Sequence, residues 1–226
     1  MMATLIIETA LVLYTLVRYN MTQIAKLVVL VLVGLATFQL SEYHVCTGSL
    51  VAGEGWSRLG YVAITLLPAV GLHMLYLLAG NNARRLVGFG YGSMAALMTY
   101  FTMYPAAFTG FRCTGNYVIF QIGSRPALVY STYYYGLLLA ALYLGVLWLR
   151  TPPQDMKTKI SPAKRQAIKG LLVGYLIFLV PTALANSVDP ATRQAIPSIM
   201  CGFAVLFAMI LAGYILPRSG QQKNPI

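Results

Sequence analysis

The chain has 226 residues, of which 58% are hydrophobic and only 9% are charged, and its mean hydropathy is +0.71. Soluble domains are about 45–50% apolar and about 25% charged, so this composition excludes a water-soluble globular protein and indicates a surface that faces lipid. The net charge of +11 does not require a nucleic-acid partner, because Lys and Arg also collect in the cytoplasmic loops of membrane proteins.

Seven apolar segments predict transmembrane helices. A helix that crosses a bilayer needs roughly 17–25 mostly apolar residues. The segments are 2–17, 24–40, 59–79, 86–108, 127–149, 167–186 and 197–216. They predict an all-α integral membrane protein, a seven-transmembrane helix bundle within residues 1–217 and a short cytoplasmic tail at 218–226. The first segment is short and contains Glu8.

The basic residues predict the orientation. With the N-terminus outside and the C-terminus in the cytoplasm, twelve of the 16 Lys and Arg residues lie on the cytoplasmic side, and Arg58, Arg112, Arg125 and Arg193 lie outside. Such a bias follows the positive-inside rule. We expect the bacterial cytoplasmic (inner) membrane as the location. In the longest cytoplasmic loop, Ser161 followed by Pro162 predicts the start of helix six.

Two outer loops, 42–56 and 110–125, carry the next features. The run NYVIFQI at 116–122 is bounded by glycines and is too short to span, so it predicts an extracellular strand or hairpin. Cys46 and Cys113 lie in different outer loops, where an oxidising compartment permits pairing. We predict a disulfide between them; two free thiols are the alternative.

Several polar residues are candidates for binding. Glu42, His44 and Cys46 alternate, so in an extended segment they would share one face and could bind zinc or copper. Without a fourth ligand in the sequence, a polar helix end is the simpler interpretation, and we predict no metal site. Glu8 either lies inside the bilayer, where it could bind a cation or relay protons, or reaches the outer surface. His73 is either a proton carrier or a hydrogen-bonding group inside the bundle.

Tyrosines are abundant, sixteen in all. Those at 130, 133 and 134 share a helical face, and they could line a small-molecule pocket open to the outside or belong to the aromatic belt at the interface. The candidate ligand-binding residues are Glu8, Glu42, His44, Tyr100, Tyr104, Tyr130, Tyr133, Tyr134 and Asn186. We identify no catalytic motif and expect no cofactor. Two glycine pairs, Gly88-x-x-x-Gly92 and Gly170-x-x-x-Gly174, are typical of close helix contacts.

The order of these features resembles the N-terminal seven-helix sensor region of some bacterial histidine kinases and diguanylate cyclases. Four places carry the resemblance: WSRLG at 56–60 leading into LLPAVGLH at 66–73, the loop 115–123 before the tyrosine-rich start of helix five, KRQ at 164–166 with Gly170, Pro181 and Asn186, and Ile196-Pro197. In that family the seventh helix continues into a cytoplasmic output domain. Only nine residues follow Pro217 here, so if the chain ends there, a signal passes to a separate partner.

The sequence therefore predicts a sensor or receptor-like protein in the lipid bilayer. A small ligand of unknown identity would bind from the outer side, between helices two, four, five and six and under the strand-forming loop, and a separate cytoplasmic or membrane protein would receive the signal. The alternatives are a transporter or channel subunit for ions or small molecules, and an accessory subunit of a membrane complex.

Overall fold

The structure is a computed structural model that describes residues 2–48, 53–81, 84–114, 117–151, 160–188 and 196–219. Its helices are α1 (Met2–Arg18), α2 (Gln23–Thr47), α3 (Gly53–Ala79), α4 (Arg84–Met103), α5 (Ser124–Arg150), α6 (Pro162–Val188) and α7. The last of these, α7, denotes the helix Ile196–Ser219, which is α-helical to Ile210 and contains a π-helical turn at Leu211–Ile215. A 3-10 turn (Pro105–Ala107) and an antiparallel hairpin of β1 (Phe108–Cys113) and β2 (Val118–Ile122) connect α4 to α5.

Local signals set several helix ends. The Thr22 hydroxyl accepts a hydrogen bond from the amide of Ala25 at the start of α2 (3.3 Å), and Gly48 ends that helix in the left-handed conformation (φ 67°). The prediction that helix six begins after Ser161 is confirmed, since the Ser161 hydroxyl accepts from the amide of Lys164 (3.3 Å).

The core is built around α3, which is buried on most of its faces and packs against α2, α4, α5 and α6. Glycines permit the closest approaches between helices. A side chain at Gly71 would meet the Tyr175 hydroxyl on α6, and one at Gly174 would meet the Phe207 ring on α7. The predicted close contact at Gly170 and Gly174 is therefore confirmed. At Gly88 and Gly92, by contrast, an added Cβ would meet nothing within 4 Å, so this pair makes no close contact with the part of the chain that the structure describes.

Within the described residues, five helices are long and apolar enough to cross a membrane: α2, α3, α5, α6 and α7. The helical fold and its apolar character agree with a membrane protein. The two remaining predicted spans correspond to α1, which has 17 residues, and to α4, which has 20 residues but is less apolar than the other five.

The hairpin corrects one predicted boundary. The fourth apolar segment was expected to be helical to residue 108, but α4 ends at Met103 and residues from Phe108 onward form β1. Pro105 explains the stop, because proline disfavours helical conformation in the residue before it and lacks an amide hydrogen. The strand predicted within residues 116–122 is confirmed as β2, and the predicted disulfide joins Cys46 to Cys113, with 5.8 Å between their Cα atoms.

Candidate ligand-binding site

A cavity of about 320 Å³ lies between α3, α5 and α7, with β2 along one side. The exposed residues Thr109, Gln121 and Ser131 are part of its lining, so the cavity reaches the surface there. Its size is at the lower end of the range of ligand pockets. The lining residues are Tyr61, Ile64, Thr109, Phe120, Gln121, Ile122, Ala127, Tyr130, Ser131, Tyr134, Tyr135, Ile196, Pro197, Met200 and Cys201.

Aromatic rings form the buried wall of the cavity. The Tyr61 ring on α3 contacts the rings of Phe120 and Tyr130, at centroid distances of 5.7 and 5.3 Å. It also contacts Phe101 (5.2 Å) and Phe108 (5.3 Å), which lie behind the wall. Tilted and edge-on ring pairs of this kind are favourable and hold each ring in place. The wall is therefore a surface of mutually packed aromatic rings.

One hydroxyl in this wall is fully enclosed by protein atoms. Tyr130 is buried, and its oxygen makes no hydrogen bond with the described residues. The Thr65 hydroxyl lies near it and donates its own proton to the carbonyl of Tyr61 (2.6 Å), which leaves the Thr65 oxygen free to accept the Tyr130 proton. A buried hydroxyl without a hydrogen bond costs roughly 1–3 kcal/mol.

Three contacts hold the hairpin over the end of the bundle. The disulfide ties β1 to the last turn of α2, and the Ser198 hydroxyl on α7 donates to the carbonyl of Val118 at the start of β2 (2.5 Å). The amide of Gly123 donates to the carbonyl of Ala107 (3.1 Å), which closes the base of the hairpin. The hairpin is thus attached to α2 and α7 by side chains that are distant in sequence.

The predicted tyrosines are distributed between the cavity and its surroundings. Tyr130 and Tyr134 line the cavity. Tyr133 instead points its hydroxyl to α3, where it donates to the carbonyl of Thr65 (2.6 Å). Tyr100 on α4 stacks on Tyr104, which directly follows that helix (5.4 Å between centroids). Both lie outside the described lining, and Tyr104 is 52% exposed.

The other predicted residues lie away from the lining. Glu8 and Glu42 are buried in the bundle, and the His44 ring stacks on Trp56 (4.4 Å between centroids). His73 shares a hydrogen bond of 2.9 Å with the Tyr91 hydroxyl, which agrees with the bundle-internal interpretation. The side chain of Asn186 lies outside the described part of the structure.

The local structure does not bring the three candidate metal ligands to one face. Glu42, His44 and Cys46 lie on the helix α2 and not on an extended segment, so two-residue spacing does not align them. Cys46 also forms the disulfide with Cys113, and a disulfide sulfur cannot bind a metal ion as a thiolate. No group of three His, Cys, Asp or Glu suited to a metal ion occurs among the described residues.

Sequence reasoning missed the contribution of α7. Pro197, Met200 and Cys201 line the cavity on consecutive turns, with Ile196 beside them. Their i, i+3, i+4 spacing marks a helix face, but it gives no sign of which neighbour that face meets. No protein-family model and no curated protein matches this chain. The geometry of the cavity is therefore the basis for a functional proposal.

Proposed function

We propose that this protein is a membrane-embedded sensor or receptor-like protein that binds a small ligand from the outer side and signals through a separate protein partner. The observation that supports the proposal is the tyrosine-rich cavity beneath the disulfide-linked hairpin. In this proposal all seven helices cross the bacterial cytoplasmic membrane, with the N-terminus outside. The hairpin then lies on the outer side, where a disulfide is stable.

The lining favours an uncharged aromatic or amphipathic ligand. None of the described lining residues is charged, and rings from Tyr61, Phe120 and Tyr134 supply flat apolar surface. The side chains of Thr109, Gln121 and Ser131, which are the exposed polar residues of the lining, would bind the polar groups of the ligand. Apolar walls with a few polar groups are typical of small-molecule sites.

Helix α7 is the element best suited to carry a signal. Its first turns line the cavity, and its last turns contact α6 at the other end of the bundle, where Arg218 donates to Gln166 (3.1 Å) and lies over the Tyr214 ring (3.6 Å). Between them is the π-helical turn, an irregularity that is frequent at functional sites. A ligand that favours one position of α7 would shift its population.

The binding experiment uses the purified full chain in lipid nanodiscs. A library of uncharged aromatic fragments is screened by ligand-observed NMR, and each hit is retested on Ala127→Leu, which adds bulk to the cavity lining. The matched control is Ala96→Leu on the exposed side of α4. Hits that bind wild type and Ala96→Leu but not Ala127→Leu support the proposal. Hits that bind all three proteins equally contradict the cavity as the site.

The partner experiment addresses the signalling half of the proposal. Photo-crosslinkers at Ala163 and Ser219, both at the end of the bundle away from the hairpin, are activated in native membranes. A signalling or regulatory protein attached at these positions supports a receptor. Attachment to subunits of a transport or energy-converting assembly contradicts signalling and favours an accessory subunit.

A transporter is the second candidate, because Glu8 and Glu42 are buried in the bundle and buried carboxyl groups often mark ion pathways. Reconstituted liposomes separate the two functions. Accumulation of a fragment that binds the cavity, driven by a proton gradient, would favour transport. Binding without accumulation would favour the sensor.

A further inference from the structure

Two carboxyl groups are enclosed where α1, α2 and α7 meet. Glu8 on α1 has no exposed surface, and neither of its side-chain oxygens has a hydrogen-bond partner among the described residues. Glu42 on α2 is 1% exposed and lies against Ser198 of α7 and the backbone of Val118, yet its Oε1 is buried without a partner. The two groups are close enough for their charges to interact.

Two ionised carboxylates at this buried position would be unstable without a compensating positive charge or a proton. Burial of an ionised carboxylate is costly, and a second one nearby adds repulsion. The ion pair found in the described part of the chain is Arg58–Glu54 (3.7 Å), which is elsewhere on α3. Besides each other, the titratable groups that act on the pair are the Cys201 thiol of α7 and the amino terminus ahead of α1.

We propose that Glu8 and Glu42 form an internal proton-binding pair that holds one proton at neutral pH. The proton is added to one carboxylate to give a neutral carboxylic acid, while the other carboxyl group keeps the single negative charge. Loss of that proton would leave two adjacent buried charges. The pair is thus a protonation site in the bundle, separate from the cavity lining.

The site shares one helix with the cavity. Cys201 lines the cavity and is near enough to both carboxyl groups for their charges to act on its thiol. Ser198, which lies against Glu42, donates a hydrogen bond to Val118 of β2. Repulsion between two ionised carboxylates would exert a force on α7 and on the hydrogen bond between Ser198 and Val118 of the hairpin. This inference does not require that the cavity binds a ligand, so it can hold or fail independently of the proposed function.

Infrared spectroscopy of the full chain in a detergent that contains no ester or acid carbonyl tests the proton directly. A carboxylic acid has a carbonyl stretching band that a carboxylate lacks, and at neutral pH we expect this band in wild type. It should be lost in the double variant Glu8→Gln, Glu42→Gln and retained in the control Glu54→Gln, whose side chain is 67% exposed. Absence of the band in wild type overturns the proposal without any variant, and so does its persistence in a folded double variant.

Thermal stability against pH gives an independent readout. Free glutamate is ionised above about pH 4.3, so at higher pH the folded protein binds one proton more than the unfolded chain. Stability contributed by that proton is present at low pH and is lost as pH rises. We expect wild type and Glu54→Gln to lose melting temperature toward alkaline pH more steeply than the double variant. Parallel pH profiles for all three proteins overturn the proposal.

Discussion

At the scale of single residues, the Tyr133 hydroxyl supports a helix that is interrupted by proline. It donates to the carbonyl of Thr65, one turn before Pro68 in α3. Tyr133→Phe removes this buried hydrogen bond, and we expect the free energy of unfolding to fall by about 1 kcal/mol. Tyr143→Phe is the control, since Tyr143 is 65% exposed. Equal melting temperatures for the two variants would show that the bond is not stabilising.

The spacing of Tyr130, Tyr133 and Tyr134 was enough to predict that they share a face of α5. It did not predict their separate roles. The Tyr133 hydroxyl reaches a carbonyl on α3, whereas Tyr130 and Tyr134 line the cavity, because α5 packs against α3 on one side and borders the cavity on the other. Helix periodicity can be read from one segment of the sequence. Which other helix packs against that segment depends on the tertiary fold.

The disulfide gives a second prediction at this scale. It closes a loop between residues 67 apart in sequence. Reduction, or Cys46→Ser, should lower stability by roughly 2–4 kcal/mol, seen as an earlier unfolding transition. Cys201→Ser keeps the disulfide and should respond to reductant as wild type does, whereas Cys46→Ser should not respond. A reductant effect of equal size on Cys46→Ser would assign the effect to something other than this bond.

At the scale of elements, two glycine pairs with the same spacing have different environments. At Gly174 an added methyl group would meet the Phe207 ring of α7, while at Gly92 it would meet nothing within 4 Å. We expect Gly174→Ala to destabilise the protein by about 1–3 kcal/mol through overpacking. Gly92→Ala should be neutral or stabilising by up to about 1 kcal/mol, since alanine favours helix. Thermal unfolding in one detergent compares them, and destabilisation by Gly92→Ala alone would contradict these environments.

The segment between α4 and α5 shows where sequence reasoning about elements was limited. The run 86–108 is apolar enough to predict a helix to its end, although Pro105 interrupts it. Gly110 has a φ of 152°, which residues with side chains rarely adopt, and it lies at an irregularity in the pairing of β1 with β2. A strand in a two-stranded hairpin has only a weak sequence pattern of alternating apolar and polar residues. The sequence therefore predicted β2 but not β1.

At the scale of the whole molecule, composition was sufficient to predict a helical chain with helices apolar enough to cross a membrane. The cavity was harder to predict, because its walls come from three helices and a hairpin. From the sequence, the site was predicted between helices two, four, five and six, whereas the cavity is lined by α3, α5, α7 and the strands. Which helices are neighbours depends on packing between distant segments, such as Gly71 against Tyr175, and single-segment patterns do not contain that information.

The seven-span arrangement predicts which positions are accessible from each side of the membrane. In a Cys201→Ser background that keeps the disulfide, single cysteines replace the exposed residues Arg85, Ser124 and Ala163. Ser124→Cys should react with a membrane-impermeant maleimide in intact cells. Arg85→Cys and Ala163→Cys should react only after permeabilisation, because α4 lies between Arg85 and the hairpin, and α5 lies between Ser124 and the loop before α6. If α4 does not cross the bilayer, Arg85→Cys and Ser124→Cys will react from the same side, and the outer position of the cavity would then depend on α5 alone.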